Sequence, residues 1–338
     1  MVRTISGGDH DTDSRLLHEV NTPLSCKYRY ATGVSLGKKS DLRSKRILIL
    51  GASGLLGNRL FLRLKDEYTV KGTCTITSKN TYPELIPLNA LDSDQVLEIF
   101  RIFKPEVVVN CVGLTSVDEC EQRPEAAWLL NTVFPASIAE LAKKFESKLI
   151  HISTDHFASL VQIPRTEDTS FTPVNQYGLT KLTAEDIILK SFPEAGIIRT
   201  NFFGLGKKGG NSILDFAIRS LSAETVTKGV TDICFTPIGV ESLVDFIQEY
   251  LNDTWLGVMH VAGKEEISKY HFLQMVAKLL KIPECKISAL SALQLGLSAP
   301  RPTYLSLDVS RVRDILGFQP PTLETMLQHE LRKHAKIA

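Results

Sequence analysis

The sequence predicts an α/β protein built on a doubly wound parallel sheet, with a smaller lobe at the C-terminal end. From Lys45 to about Gly204, short apolar runs alternate with amphipathic helical segments. The runs are apolar along their whole length, which is typical of strands buried on both faces of a parallel sheet. The first run ends in a glycine-rich turn, GASGLLG, and a helical segment follows at once. This order is that of a Rossmann-type fold.

Each strand and helix of the sheet is predicted from hydrophobic period and from the turn residues between segments. In order, the segments are the strand KRILILG, the helix LLGNRLFLRLKDE, the strand YTVKGTCT, the helix DSDQVLEIFRIF, the strand EVVVNCVG, a helix from Pro124 to about Phe145, the strand KLIHIST, the helix that carries Tyr177, and the strand AGIIRTNFFG.

Beyond residue 205 the alternation is less regular. SILDFAIRSL, GVESLVDFIQEYL and KYHFLQMVAKLLKI predict amphipathic helices, separated by the proline-bearing stretches CFTPI and APRPTYLSLD. We therefore predict a nucleotide-binding domain over 45–205 and 225–262, and a substrate-binding lobe over 206–224 and 263–338. Residues 1–44 show no sustained hydrophobic period and are predicted to be a loosely attached N-terminal extension.

Composition restricts the class of protein. Of the 338 residues, 43% are hydrophobic, which is enough for a sizeable core, and the formal net charge is +1. Acidic and basic residues are mixed along the chain, which argues against a nucleic-acid or anionic-membrane surface. The 6 cysteines form no CxxC pair, so no metal site is expected. The sequence has no span of about 20 apolar residues and no secretory signal, so we predict a cytoplasmic protein. Small molecules are its expected partners.

The glycine-rich turn predicts a dinucleotide site. Gly51 would permit the sharp turn, Gly54 would let a pyrophosphate approach the backbone, and Gly57 would allow close packing of helix and strand. The free N–H groups of the following helix would bind the phosphates. The alternative is that these glycines only make a turn. Further cofactor contacts are predicted at Ser53, Leu55, Leu56, Asn89, Ala90, Leu91, Cys111, Val112 and Gly113.

The end of the second strand favours NADP(H) over NAD(H). NAD enzymes commonly place an acidic residue there to bind the ribose hydroxyls, and TCTITSKN contains none. Thr75, Thr77, Ser78 and Lys79 are better suited to a 2′-phosphate. NAD(H) is kept as the alternative cofactor.

The stretch VNQYGLTKLTAED places Tyr177 and Lys181 four residues apart, on one face of a helix. A free phenol has a pKa of about 10 and becomes a better acid when a neighbouring cation stabilises the phenolate. Alone, the pair would equally fit a solvated helix surface. Gly178, beside the tyrosine, would let the cofactor or a neighbouring segment approach.

With the glycine turn, Ser153-Thr154, Tyr177 and Lys181 in this order, the sequence resembles the extended short-chain dehydrogenase/reductases, and within them the dTDP-4-dehydrorhamnose reductases. The resemblance covers about residues 45 to 330. It is carried by NCVGLTSVDECEQRPEAAWLLN, ISTD, PVNQYGLTKLTAE, IIRTNFFG and APRPTYLSLD.

The resemblance implies reduction of a nucleotide-linked 4-keto-6-deoxysugar by NADPH. It implies that Tyr177 donates a proton, that Lys181 lowers the pKa of the phenol and holds the nicotinamide ribose, and that Thr154 bonds the carbonyl oxygen. The resemblance also implies that Asn131 belongs to the network of residues that supports these three. The implied substrate residues are Thr115, Val117, Asp155, His156 and Arg301. Self-association as a homodimer is left open.

The loop after Ser-Thr-Asp departs from the family pattern, because His156-Phe157-Ala158 stands where Tyr-Val-Phe is usual. His156 either contacts the substrate or replaces a packing aromatic residue. Two other functions stay open. One is a nucleotide-sugar epimerase or dehydratase, although dehydratases place Asp-Glu after the threonine. The other is a non-catalytic NADP-binding subunit, because the regulatory β subunit of methionine adenosyltransferase is also similar to this family and has an N-terminal extension.

Overall fold

The computed structural model describes residues 45–78, 81–157, 164–206, 210–253 and 255–335. The predicted N-terminal extension, residues 1–44, and the predicted cofactor residue Lys79 lie outside them. The strands are β1 Arg46–Leu50, β2 Thr69–Cys74, β3 Ile86–Pro87, β4 Val107–Asn110, β5 Lys148–Ile152, β6 Gly196–Arg199, β7 Phe202–Phe203, β8 Thr227–Val230, β9 Cys234–Phe235, β10 Ile238–Gly239, β11 Gly257–His260, β12 Ile267–Ser268 and β13 Ile287–Leu290.

Helices occupy most of the segments between these strands. They are α1 Leu55–Leu64, α2 Ser93–Phe103, α3 Val117–Gln122, α4 Pro124–Trp128, α5 Phe134–Lys144, α6 Gln176–Ser191, α7 Ile213–Ser222, α8 Val240–Glu249, α9 Lys269–Leu279, α10 Ala292–Leu295, α11 Ser310–Leu316 and α12 Leu323–Ala335. Within the described residues, no helix is both long and apolar enough to cross a membrane.

A seven-stranded sheet in the order β11-β6-β5-β4-β1-β2-β3 forms the centre of the fold. All of its neighbouring strands run parallel, which confirms the predicted doubly wound sheet. The chain reverses its direction of winding between β1 and β4. In open parallel sheets, ligands bind at the carboxyl ends of the strands beside such a switch point.

Both faces of the sheet are buried, as the apolar strands predict. Along β1, Ile47 and Ile49 pack into a core that includes α1 and α8, whereas Leu48 and Leu50 pack into a second core against α2, α5 and α6. Successive side chains of a strand point to opposite faces, so a strand with both faces covered needs apolar residues at every position.

The helix predicted from Pro124 to about Phe145 is continuous but not uniform. Between α4 and α5, residues Leu129–Val133 form a π-helical segment. Such segments interrupt α-helices frequently at functional sites. This one contains Asn131, whose side chain is fully buried.

The C-terminal part of the chain contributes short strand pairs beside the main sheet. β7 pairs with β10, β8 with β13 and β9 with β12. Several of these strands have only two residues. A strand of that length is too short to show an apolar period in the sequence. The division into a nucleotide-binding domain and a substrate lobe stays a prediction.

Candidate active site

The glycine turn between β1 and α1 leaves the start of that helix open. Gly51 has a φ of +79°, a conformation that favours glycine, and a Cβ on Gly57 would lie 2.4 Å from the Gly51 carbonyl oxygen. Gly54 is the N-cap residue of α1 and supplies no side-chain hydrogen bond. The first N–H groups of α1 are therefore not capped by a side chain at this position, which suits an anionic ligand.

A cavity of about 490 Å³ lies at the carboxyl ends of β4, β5 and β6, beside the start of α1. It is lined by Gly54, Leu55, Leu56, Gly57, Cys111, Val112, Gly113, Thr115, Val117, Asn131, Ile152, Ser153, Thr154, Asp155, His156, Tyr177, Lys181, Thr200, Asn201, Phe202, Asn211, Ser212 and Ile213. The start of α1, the segments after β4, β5 and β6, the π-helical segment, α6 and the start of α7 thus meet at the switch point of the sheet.

Most of the residues predicted to contact a cofactor line this cavity. Those that do are Gly54, Leu55, Leu56, Cys111, Val112, Gly113, Tyr177 and Lys181. Gly51 and Ser53 belong to the turn without lining it, and Asn89, Ala90 and Leu91 lie between β3 and α2. At the end of β2, the Thr75 hydroxyl lies 2.8 Å from that of Ser78 and 3.1 Å from that of Thr77. A cluster of hydroxyls, with no carboxylate in TCTITS, follows this strand.

The residues predicted to carry the chemistry face the same cavity from α6 and from the end of β5. Asn175 begins α6 by accepting a hydrogen bond from the Gly178 N–H at 2.8 Å. Tyr177 is 9% exposed and Lys181 is 4% exposed, so the pair does not form a solvated helix surface. Lys181 Nζ donates to the Ile152 carbonyl oxygen at 2.7 Å.

The pKa shifts of this pair follow mainly from burial. Burial raises the pKa of Tyr177 to about 12, and the hydrogen bond with Thr154 opposes that rise. Burial lowers the pKa of Lys181 to about 8, with Glu185 and Cys111 acting in the opposite direction. The net shift of the phenol is opposite to the lowering expected from its lysine neighbour, because desolvation disfavours the phenolate and the nearby Asp155 carboxylate disfavours it further.

Asn131 joins the loop after β4 to α6. Its Oδ1 accepts the Leu114 N–H at 2.8 Å, and its Nδ2 donates to the Leu114 carbonyl oxygen at 3.0 Å and to the Thr180 hydroxyl at 3.2 Å. The amide therefore pairs with a backbone unit much as two peptide groups pair. It fixes the position of Thr115 and Val117, which both line the cavity.

The altered loop after Thr154 is held tightly. The His156 N–H donates to the Thr154 hydroxyl at 3.2 Å, and Asn201 Nδ2 donates to Asp155 Oδ2 at 2.7 Å. A Cβ on Gly178 would lie 2.8 Å from the His156 carbonyl oxygen. Gly178 thus permits the approach of a neighbouring segment, one of the two roles that its position suggests.

His156 itself packs against Tyr177. The two rings meet edge to face, with centroids 5.6 Å apart, and the His156 Nε2 atom is buried without a hydrogen-bond partner in the described structure. Burial, together with the charges of Arg301, Lys269 and Arg165, lowers the pKa of His156 to about 3. The imidazole is therefore neutral at physiological pH.

Arg301 is the predicted substrate residue that does not line the cavity. Its Nη2 forms an ion pair with Asp118 Oδ2 at 2.8 Å, and its Nη1 donates to the Ala299 carbonyl oxygen at 2.8 Å. Asp118 also accepts from the Ser298 hydroxyl at 2.6 Å. Arg301 therefore ties the Arg-Pro segment to α3.

Sequence reasoning missed several buried charged residues around the site. Arg165 is 1% exposed, and its guanidinium donates to the carbonyl oxygens of Asp155, at 2.9 Å, and of Phe157. Lys269 is half-buried near Asp155, and desolvation of its ammonium group lowers its pKa to about 8. Arg165 follows an irregular stretch with no periodic signal, and Lys269 is the polar first residue of the predicted helix KYHFLQMVAKLLKI. His151 did leave a signal, because it is a polar residue within the apolar strand KLIHI.

Comparison with known proteins finds the same architecture. A sequence profile described as the RmlD substrate binding domain matches residues 45–335. The chain is 28% identical over 282 residues to the probable low-salt glycan biosynthesis reductase Agl14 of Haloferax volcanii, covering 82% of this chain and 94% of that protein. It is 27% identical over 295 residues to methionine adenosyltransferase 2 subunit beta of Xenopus laevis, covering 82% and 85%.

A solved structure extends this similarity to three dimensions. The dTDP-4-dehydrorhamnose reductase of Clostridium acetobutylicum superposes with a TM-score of 0.77 at 26% identity, covering 86% of this chain and 99% of that chain. The family profile, which matches residues 45–335, spans the cavity, the glycine turn and α6.

Proposed function

The chain belongs to the RmlD substrate binding domain family, and from this premise we propose that it reduces the keto group of a nucleotide-linked 4-keto-6-deoxysugar with NADPH. One observation carries the proposal. Tyr177, Lys181 and Thr154 line the same cavity as the start of α1, where no side chain caps the helix. A phenol, an amine, a hydroxyl and the uncapped start of a helix thus lie together at the switch point of the sheet, and this combination supports the proposal.

The described residues fit a bound NADP(H) molecule. The N–H groups at the start of α1 would hold the pyrophosphate, and the hydroxyls of Thr75, Thr77 and Ser78 would hold the 2′-phosphate. Lys181, which reaches the cavity wall, would bind the nicotinamide ribose. When bound, the cofactor supplies a hydride to the keto carbon of the sugar.

The side chains of the chain itself handle the oxygen of the ketone. Thr154 would hydrogen-bond the carbonyl oxygen, and Tyr177 would donate its proton to that oxygen as negative charge develops. Because burial raises the pKa of Tyr177 to about 12, the phenol carries its proton at neutral pH, as a donor must. Addition of one hydride and one proton converts the ketone to an alcohol.

The nucleotide part of the substrate would occupy a second cavity, of about 720 Å³, that shares Ile213 with the first. Its wall combines apolar residues such as Phe216 and Leu297 with the cations Arg219 and Lys228. A flat base and a diphosphate need this combination of apolar surface and positive charge. On this proposal, residues 206–224 and 263–338 supply most of the substrate contacts.

The test is NADPH oxidation by the purified protein in the presence of a dTDP-4-keto-6-deoxysugar. Tyr177→Phe should lower kcat by about 10²- to 10⁴-fold, the usual contribution of a positioned proton donor. Tyr270→Phe removes the same hydroxyl outside the cavity and should leave kcat unchanged. Equal turnover by Tyr177→Phe and the parent protein would overturn the mechanism.

A second candidate function is supported by the similarity to a methionine adenosyltransferase subunit. On this alternative, the chain binds NADP(H) and associates with a methionine adenosyltransferase without reducing a sugar. The departure at His156, which stands against Tyr177 in the cavity, favours it. Two results together would select this function. The protein would bind NADPH without turning over any sugar in a panel of nucleotide keto-sugars, and it would co-purify with a methionine adenosyltransferase.

A further inference from the structure

The fully buried side chain of His151 connects the catalytic lysine to the neighbouring strand. His151 lies in β5, and its Nε2 is 3.3 Å from Lys181 Nζ. Its other ring nitrogen, Nδ1, is 3.2 Å from Nδ2 of Asn110, its register partner on β4. The imidazole therefore bridges an amide and an amine, and both of these groups can donate hydrogen bonds.

The orientation of the Asn110 amide fixes the tautomer of His151. The Val112 backbone N–H lies 3.1 Å from Asn110 Oδ1, and a backbone N–H can only donate, so the atom that it contacts must be the amide oxygen. The amide nitrogen then faces Nδ1. Because that nitrogen donates, Nδ1 must accept, and the single proton of the neutral imidazole must be on Nε2. Burial keeps the pKa of His151 well below its usual value, so the ring has no second proton.

This tautomer directs an N–H group at Lys181. An ammonium group has only donors, so the charged lysine would place two donors 3.3 Å apart, whereas a neutral amine would accept the bond from Nε2. The other groups near Nζ are the Ile152 carbonyl oxygen, to which Nζ donates at 2.7 Å, the Cys111 thiol after β4, and Glu185 on α6. The Ile152 carbonyl accepts from an amine as well as from an ammonium group, and the Glu185 carboxylate is already bonded to an arginine.

We propose that His151 is a positioning residue whose Nε2–H tautomer disfavours the ammonium form of Lys181 and thereby sets the upper pH limit of the reaction. The catalytic consequence rests on the proposed function, in which the ammonium form supports proton donation by Tyr177. The tautomer itself does not depend on it. Burial acts on Lys181 in the same direction and lowers its pKa to about 8.

The tautomer is tested by long-range ¹H–¹⁵N spectra of protein labelled with ¹⁵N-histidine, with His151 assigned by its loss in His151→Leu. The expected result is an Nε2–H ring at neutral pH, and in Asn110→Leu a shift toward the Nδ1–H form. An Nδ1–H ring or a cationic ring in the parent protein would overturn the proposal, whether or not the protein reduces any sugar.

The consequence for Lys181 is tested by the pH dependence of kcat. Both His151→Leu and Asn110→Leu should move the alkaline limb upward by about one pH unit, which is a tenfold change in proton affinity. Ser147→Ala is the control, because it removes a buried hydrogen bond, to the Pro105 carbonyl oxygen, without touching this network. An unmoved alkaline limb in folded Asn110→Leu would refute the role of His151. Absence of turnover in the parent protein would instead count against the proposed function, and the spectra would still decide the tautomer.

Discussion

The buried ion pair between Glu185 and Arg199 ties α6 to the sheet, and its removal should strongly destabilise the fold. Glu185 is on α6 and Arg199 is on β6. Their side chains are 1% and 7% exposed, and Arg199 Nη2 lies 2.6 Å from Glu185 Oε2. Arg199 Nε adds contacts of 3.1 Å and 3.0 Å to the two carboxylate oxygens. Ser153, the residue before Thr154, donates its hydroxyl to the same carboxylate.

Glu185→Leu should lower the free energy of unfolding by about 3 to 5 kcal/mol, because it leaves the guanidinium buried without its counterion. That is a large share of the roughly 5 to 15 kcal/mol that stabilises a typical domain. Replacing both partners, as in Glu185→Leu with Arg199→Met, should cost less than the sum of the single changes by about 2 kcal/mol or more, since no charge is then left unpaired.

Urea unfolding followed by the fluorescence of Trp255, which is 5% exposed, measures these differences. Arg123→Met is the matched control, because it breaks an ion pair on the surface, where the side chain of Arg123 is 63% exposed and that of Glu119 is 39% exposed. This change should lower the free energy of unfolding by about 0.5 kcal/mol or less. A loss below about 1 kcal/mol in Glu185→Leu, or strict additivity in the double variant, would refute this reasoning.

Three further predictions concern the glycine turn after β1, the two lysines whose pKa is lowered, and the loop after Asp155. Gly57→Ala places a Cβ 2.4 Å from the Gly51 carbonyl oxygen, so it should cost about 1 to 3 kcal/mol in urea unfolding and weaken NADPH binding measured by fluorescence. Burial lowers the pKa of Lys181 and Lys269 from 10.5 to about 8 on folding. The unfolded chain therefore binds more protons between these pH values, so the free energy of unfolding should rise with pH across this window, and Lys269→Met should flatten the rise. Arg165→Met removes charged donors from two loop carbonyls and should cost about 1.5 to 3 kcal/mol, with faster proteolysis of the loop after the Ser-Thr-Asp motif.

Local patterns in the sequence were enough to predict the sheet and the helix that carries Tyr177 and Lys181. The spacing of four residues places both side chains on one helical face whatever the rest of the chain does. The position of Gly51 at the end of an apolar run likewise predicts a sharp turn, and Gly51 has a φ of +79°, a backbone conformation that favours glycine. Each of these predictions depends on residues within a few positions of one another.

Contacts between distant segments could not be predicted in this way. Arg301 pairs with Asp118, which is 183 residues away in the sequence, and the substrate role that the resemblance implies for this arginine stays a prediction. The contact of His151 with Lys181 depends on how β5 packs against α6. No hydrophobic period records either contact, because such a period indicates which face of a segment is buried and not which remote polar group that segment meets.

The sequence by itself determined the order of the main strands and helices between Lys45 and Gly204, the glycine turn and the adjacency of tyrosine and lysine, because backbone geometry and helical spacing act over a few residues. Only the tertiary structure decided the electrostatics of the site. The direction in which the pKa of a phenol or an amine shifts depends on its burial and on its partners, and remote segments of the chain provide both. For Tyr177, desolvation proved the largest influence, and it reversed the shift that its neighbour alone predicts.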